Sequence, residues 1–481
     1  MILKRFYDEK LAQASYLIGC GRAGEAIVVD ANRDTRQYVS AARMEGLRIT
    51  QVTETHIHAD FVSGSRELAA RTGARLNLSD EGDANWKYTF ARNSAASLLR
   101  DGDTIDVGDV RVNVVHTPGH TPEHLAFLVT DTTHAGEPMG MLTGDFLFAG
   151  DVGRPDLLEK AAKMGGTMES AARTLYSSLE RLATLPDWIQ IWPGHGAGSA
   201  CGKAMSAVPQ STLGYERRFN WAFGASSEDE FVRMVLAGQP EPPKYFAEMK
   251  RINKEGPRLL DGFGRPERLD AKLGRELVNK PNTLVVDIRP AARFAAGHIP
   301  GTINIPLNKS FTTWAGWLIP YDRDFYLIVD GESQVDESVR DLAMIGLDRV
   351  AGYFCSDVIQ YFAEHEGSLG AIAQTNAGEL AQLMEQDKVS VIDVRGRAEW
   401  DSGHIPGVEN MPLGYLADHL SEIQRSSTIV LHCQGGGRSS IAASVLAAHG
   451  FTKVVNLSGG FAEWEREGLP VQSVLTTPTA D

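Results

Sequence analysis

A chain of 481 residues that is 43% hydrophobic and 23% charged is too long for one core, and its length predicts roughly two to four globular domains. The formal net charge of −15 repels phosphate backbones, and with no basic stripe to offset it, nucleic acid is excluded as a partner. The four cysteines, Cys20, Cys201, Cys355 and Cys433, are far apart and form no CxxC pair; this excludes a disulfide framework and a thiolate zinc cluster and leaves any cysteine chemistry to single thiols.

The N-terminal stretch MILKRFYDEKLAQASYLIG has charges on both sides of Phe6 and no apolar run long enough for a signal or membrane helix, so a cytoplasmic protein without a membrane partner is expected. Residues 1–235 alternate short strands with helices. SYLIG, EAIVVD, ITQVTET, RVNVVH and IQIWPG carry strand patterns, and Thr167 to Ala183 reads as a helix. From Leu236 to Pro266 the pattern weakens, and Gly238, Pro240, Pro242, Pro243, Gly256 and Pro257 punctuate it, so residues 236–266 are expected to form a linker.

An internal repeat follows. LVVDIRPAARFAAGHIPGTINIPL and SVIDVRGRAEWDSGHIPGVENMPL are two versions of one pattern, offset by 106 residues from Asp287 to Asp393 and again from His298 to His404. So long a period is a domain duplication rather than a solenoid. The two copies, 267–370 and 371–475, each place a strand ending in Asp-x-Arg before a helix, a GHIPG turn, another strand and another helix. This βα alternation predicts parallel sheets covered on both faces.

Chemistry-bearing residues fall at the ends of these strands. ITQVTET runs into His56-Ile57-His58-Ala59-Asp60-Phe61, RVNVVH into TPGHT with His120, MLTGD delivers Asp145, and IQIW ends in PGH with His195. Histidines and a carboxylate presented by successive strand ends can converge on a metal ion. His116, His124 and His134 have no role assigned by pattern. Cys201, in the small-residue loop PGHGAGSACGK, is a candidate sulfur-handling thiol near that centre, and Cys20 reads as core.

The motifs THIHADF, HTPGHT, GDFLFAGDVGRPD and WPGH together resemble the metallo-β-lactamase superfamily over the first 220 or so residues, and within it most resemble the persulfide dioxygenases. The resemblance implies an αββα sandwich with His56, His120 and Asp145 as metal ligands. It leaves His58, Asp60, Arg154, His195 and Cys201 as neighbours that orient ligands or meet the substrate. In the superfamily pattern HxHxDH the last histidine helps to hold a second metal; here it is Phe61, which has no donor atom. A mononuclear site is therefore expected. Two histidines and one carboxylate leave coordination positions open, as non-haem Fe(II) requires to meet O2 and a substrate, so one Fe(II) per chain is the expected cofactor; zinc fits the ligands but cannot activate O2.

In the second repeat copy, the strand STIVLH leads into Cys433-Gln434-Gly435-Gly436-Gly437-Arg438-Ser439 and then an apolar helix. The glycines let backbone N–H groups curl round the Cys433 sulfur, and the helix directs its positive end there; both favour a nucleophilic thiolate. Gln434, Gly435, Gly436, Gly437 and Ser439 form the expected sulfur- and oxyanion-binding loop, with Arg438 as its cation. Tyrosine-phosphatase-like sites have five residues between Cys and Arg, whereas four separate Cys433 from Arg438. The shorter loop, with Asp393-Val394-Arg395, GHIPG and LSGGFAEW, resembles rhodaneses. In the first copy Asp330 stands where Cys433 would be, followed by GESQVDES, so that copy is expected to be catalytically silent, serving as a scaffold or self-association surface.

The fold class expected is α/β and α+β multidomain: an αββα sandwich followed by two α/β rhodanese-like domains. The combination resembles persulfide dioxygenases fused to tandem rhodanese domains. It implies oxidation of a small thiol persulfide, of glutathione or coenzyme A, with O2 to sulfite, and the self-association surface of the silent copy makes a homo-oligomer the expected assembly. Sulfane sulfur would pass through Cys433 to or from thiosulfate. The rival readings are a glyoxalase-II-like thioester hydrolase with a rhodanese module, which needs two metals, and a non-enzymatic sulfur carrier.

Overall fold

The first strands of the chain follow one another as neighbours: β1 (Ile2–Asp8), β2 (Gln13–Cys20), β3 (Glu25–Val29), β4 (Arg48–Thr53), β5 (Arg75–Ser79) and β6 (Ser97–Leu99) form one sheet in that order. A second sheet runs β7 (Thr104–Val107), β8 (Val110–His116), β9 (Leu125–Asp131), β10 (Gly140–Gly144), β11 (Gln190–Pro193) and β12 (Ser211–Thr212), again as neighbours in sequence. The computed structural model describes residues 1–157, 166–239, 241–278, 280, 282–365 and 367–474. Pro240 of the expected linker and residue 475, the expected end of the last domain, lie outside that set. The chain divides into two units, Met1–Phe263 with Leu342–Gly346, and Gly264–Asp341 with Leu347–Asp481.

Strand alternation explains the sandwich of the first unit. In β8, Val110, Val112 and Val114 point inward while Arg111 and Asn113 point out, as a strand with one dry face requires. They meet Tyr16, Ile18, Ile27 and Val29 of the other sheet, with Phe127 and Trp192, in one buried cluster. The outer face of the first sheet is covered by α1 (Arg36–Met44) and α2 (Ser65–Thr72), and that of the second by α3 (Met168–Arg181) and α4 (Glu228–Leu236). This is the αββα arrangement that the motif series implies.

The segment expected to be a linker contains a helix, α5 (Phe246–Glu255), which belongs to the first unit. Its Asn253 accepts a hydrogen bond from Ser63 N at 2.9 Å and donates to the carbonyls of His58 and Phe61 at 2.8 and 2.7 Å. The prolines and glycines flanking the helix hid it. Asn253 fixes the backbone of the His56–Phe61 loop, so this stretch supports the site instead of merely spanning two domains.

The second unit holds two small, all-parallel sheets. One has the order β14 (Ile303–Asn304), β13 (Leu284–Asp287), β15 (Phe325–Val329), β16 (Val350–Cys355); the other β17 (Ala373–Thr375), β21 (Val454–Leu457), β20 (Thr428–His432), β18 (Val389–Asp393), β19 (Glu409–Asn410). The repeated letters have the same physical meaning in each. Asp287 grips Arg289 at 2.7 Å, and Asp393 grips Arg395 at 2.7 Å, both pairs buried. The same guanidinium donates to the carbonyl of Gly297 or Gly403, the first residue of each GHIPG turn. Asn304 and Asn410 donate to the two carbonyls flanking each strand end, and His298 and His404 stack on Phe294 and Trp400.

The clamp is tested most cleanly in the first copy, whose loop after β15 carries no cysteine. Arg289→Met leaves the Asp287 carboxylate buried without its partner, an arrangement that costs about 3–5 kcal/mol. Urea unfolding of the variant is expected to show a loss of that size in the second unit's transition.

Candidate functional site

Two side-chain constellations stand apart from ordinary packing: one at the edge of the sandwich in the first unit, and one at the end of β20 in the second.

In the first, the ligand atoms of His56, His120 and Asp145 lie within 4.8 Å of one another, and all three residues are buried. His120 Nε2 is 3.6 Å, and His56 Nε2 4.0 Å, from Asp145 Oδ2. The other ring nitrogens are spoken for. His120 Nδ1 faces the Arg154 carbonyl at 3.2 Å. His56 Nδ1 lies 2.9 Å from Thr55 Oγ1, which donates to Asp30 at 3.0 Å. Each Nε2 lone pair is thereby aimed at Asp145. Burial lowers the pKa of both imidazoles, that of His56 well below its ordinary value with further push from His58 and His120. Both rings are therefore neutral, the form that binds metal.

Asp145 supplies the charge. Burial raises its carboxyl pKa, but His195, His120, His58 and His124 together overcome this and hold it below the ordinary value. Neither carboxylate oxygen makes a hydrogen bond among the described residues. A sealed carboxylate without donors is costly unless a cation neutralises it, so the donor set fits a divalent metal ion. Close approach fixes the surrounding backbone. Gly144 has φ +49, and a Cβ there would sit 2.6 Å from Thr55 Oγ1 and 2.7 Å from His124 Nε2; no other residue fits before Asp145.

The remaining candidates separate. His58 is outside the convergent set: its Nε2 lies 3.0 Å from Asp30 Oδ1, with its ring 4.3 Å from that of His56. Burial would depress it, but Asp30 raises its pKa to about 9, which makes it a charged strut. Phe61 is wholly buried and packs on His58, ring centroids 4.4 Å apart. Asp60, His195 and Cys201 bring a second set of donors within 4.8 Å of one another, with His195 Nε2 3.3 Å from Asp60 and 3.4 Å from Asp145. The Cys201 thiol is pushed well above its ordinary pKa by burial and then by Asp145 and Asp60, so it is a neutral thiol there. Arg154 is fully buried, forked onto Asp156 and donating to the Ala200 carbonyl. It braces the loop that His120 leans on, and its guanidinium is not open to a ligand.

Sequence pattern missed several members of this site. Asp30 ends the EAIVVD strand at φ +54 and accepts from Thr55 N, Thr55 Oγ1 and His58. His124, unassigned by pattern, accepts from Asp145 N at 3.1 Å. Glu123 accepts from Ile57 N at 2.8 Å, with burial pushing its carboxyl up to about 7. An aspartate closing the apolar strand EAIVVD was the only readable signal among them. His116 bonds the Pro122 carbonyl, and His134 is largely exposed beside Asp131. Cys20 is buried in the sandwich core.

In the second constellation, Cys433 follows β20 directly, and its sulfur accepts from Gly436 N at 3.2 Å and Ser439 Oγ at 3.5 Å. The helix Gly437–Ala448 begins four residues after Cys433, so its N-terminus points at the thiol. Gly436 takes φ +91 to make the turn. Gln434 is tied to the clamp, its Oε1 accepting from Arg395 at 3.1 Å. Gly435 and Gly437 line a cavity with Cys433. Burial lowers the pKa of the neighbouring His432 to about 4, so it is neutral. One expectation is corrected: Arg438 is not a free anion-binding fork, because both its terminal nitrogens are held by Glu399, at 2.6 and 2.7 Å. In the first copy Asp330 occupies the position after β15, where its carboxylate is held by Arg293 at 2.8 Å. Cys355 ends β16, half-buried.

Fold and sites together define a two-module protein, a metal-centre sandwich followed by a duplicated α/β domain with one cysteine loop. The chain belongs to the metallo-beta-lactamase superfamily, whose model matches residues 9–195, and it carries two rhodanese-like domains, matched at residues 270–353 and 376–467. It is similar to a solved metallo-beta-lactamase from Staphylococcus aureus subsp. aureus COL, with 43% identity and a TM-score of 0.66, covering 74% of this chain and 99% of that one. It is 28% identical over 240 residues to the mitochondrial persulfide dioxygenase of Bos taurus, covering 49% of this chain and 80% of the relative. To a hydroxyacylglutathione hydrolase of Polaromonas sp. (strain JS666) it is 29% identical over 287 residues, covering 53% of this chain and the whole of the relative. No helix among the described residues is long and apolar enough to cross a membrane.

The Asp30–Thr55–His56 chain offers a direct test of the metal centre. Thr55→Val keeps the shape and removes the hydroxyl, and losing such an outer partner typically costs 10–100-fold in metal affinity. Competition against a coloured chelator is expected to show that loss, with the circular dichroism spectrum unchanged.

Proposed function

We propose that the protein is a persulfide dioxygenase coupled to a sulfurtransferase. The observation that carries the first half is the set His56, His120 and Asp145 around an undonated buried carboxylate, with Phe61 where a further ligand would stand. The likeness to a persulfide dioxygenase supports the same reading. These three residues would hold one Fe(II), which supplies activation of O2 beside a thiol persulfide. The chain's own groups do the rest: Thr55 and the Arg154 carbonyl orient the imidazoles, Phe61 packs on His58, and His195 stands between Asp60 and Asp145. Sulfite and a free thiol are the products.

Cys433 carries the second half. Its sulfur, cradled by Gly436 N and a helix N-terminus, would attack the outer sulfur of a persulfide and hold it as Cys-S-SH. Sulfite would then remove it as thiosulfate, or the reverse.

A thioester hydrolase of hydroxyacylglutathione type is the second reading. It is favoured by the convergence of Asp60, His195 and Cys201 next to Asp145, which offers donors for a second ion. The two readings differ in metal content and in oxygen dependence.

Iron-loaded protein given glutathione persulfide is expected to consume O2 and to bind one metal per chain. His120→Ala is expected to reduce O2 uptake to background. Cys433→Ser is expected to retain it while sulfite replaces thiosulfate as product. Two tightly bound metals with O2-independent thioester cleavage would select the hydrolase instead.

A further inference from the structure

The thiol of Cys433 opens into a cavity of roughly 620 Å³, and most of its wall does not belong to the copy that carries the cysteine. Nine of the fourteen residues lining it come from the first, silent copy, among them Pro290, Leu307, Asn308 and Trp314. Trp314 lies on the helix Phe311–Leu318 and packs against the apolar core of the second copy, half-buried. The two copies are locked together beside the cavity. Asn304 N donates to Ser444 Oγ at 2.8 Å, and Trp317 packs edge-on against Tyr415, ring centroids 5.3 Å apart. The cavity is a fixed part of the second unit.

Its chemistry is uneven in an informative way. Arg438 is the only charged residue among those lining it, and Glu399 holds its guanidinium. A dianion such as thiosulfate would find no uncommitted positive charge here, and the space is far larger than such an ion needs. Two prolines, Leu307, Ile288, Ile441 and the Trp314 ring offer apolar surface, while Asn308, Ser310 and Gln334 offer neutral hydrogen-bonding groups. That mixture suits a long, uncharged stem carrying amides and methylenes.

We propose that the silent rhodanese-like copy is the stem-binding half of the Cys433 site, selecting a persulfide on a long neutral stem of pantetheine type over thiosulfate or a charged peptide persulfide. The proposal rests on the reading of Cys433 as the sulfur-transfer residue, and it gives the first copy a role beyond scaffolding. The Cys433 thiolate attacks the outer sulfur of R–S–SH. The new Sγ–S bond forms as the R–S–S bond breaks, and its electron pair leaves on RS⁻, which takes a proton from water. Sulfite then attacks the outer sulfur of Cys-S-SH, releasing thiosulfate and one proton and restoring the thiolate. No outside oxidant or reductant is consumed.

The test is anaerobic single-turnover loading of the full chain, followed by mass spectrometry for one added sulfur on Cys433. The donors are pantetheine persulfide, glutathione persulfide and thiosulfate. The wild type is expected to half-saturate with pantetheine persulfide at a concentration about tenfold below that for the other two. Trp314→Ala and Leu307→Asn are each expected to raise the pantetheine value about tenfold and to leave thiosulfate loading within about twofold. Equal weakening of all donors in both variants, or no weakening in either, would overturn the proposal. Absence of sulfur on wild-type Cys433 with every donor would instead sink the sulfur-transfer reading beneath it.

Discussion

Asp145 has both carboxylate oxygens sealed from solvent without a hydrogen bond among the described residues, and much of the first unit is arranged to make that tenable. An ionised carboxylate in such a place demands compensating positive charge. His195, His120, His58 and His124 hold it ionised, and burial keeps His56 and His120 neutral with their Nε2 atoms turned towards it. Around these stands a shell of fixed partners: Asp30 and Thr55 behind His56, the Arg154 carbonyl behind His120, and His124 behind the Asp145 backbone.

The same logic of satisfied burial governs the second unit, with a different outcome. Asp287 with Arg289, and Asp393 with Arg395, close each strand end onto its GHIPG turn. The clamp is complete in both copies although the loops that follow β15 and β20 differ. The loop after β20 holds a glycine-cradled thiol, while the loop after β15 has Asp330, tied to Arg293. The strand-end clamp is common to both copies while the cysteine loop is not, and residues of the first copy line the cavity beside Cys433.

Placed in one chain, the two centres handle chemically consecutive species under the proposed function, since sulfite from the first is the acceptor at the second. Covalent linkage raises the effective concentration of one site's product at the other. Family membership alone does not specify this coupling, because the superfamily relatives include hydrolases as well as a persulfide dioxygenase.

Sequence alone determined the features that are local in the chain. Strand-end histidines, the Asp-x-Arg and GHIPG repeat, the Cys433 loop and the loss of that cysteine in the first copy are written in short contiguous motifs. Periodicity and glycine placement have direct physical meanings there. What only the tertiary structure decided are choices between partners distant in sequence. His58 was readable as a ligand candidate, but Asp30, 28 residues away, claims its ring. Arg438 was readable as an anion fork, but Glu399, 39 residues away, occupies it. Asn253 was hidden in a proline-rich stretch, yet it fixes the loop around Phe61 across 192 residues. Spacing reveals which groups a strand end can present. Which of several buried charges and donors each group finally satisfies is settled only when the folded chain brings them within hydrogen-bond reach.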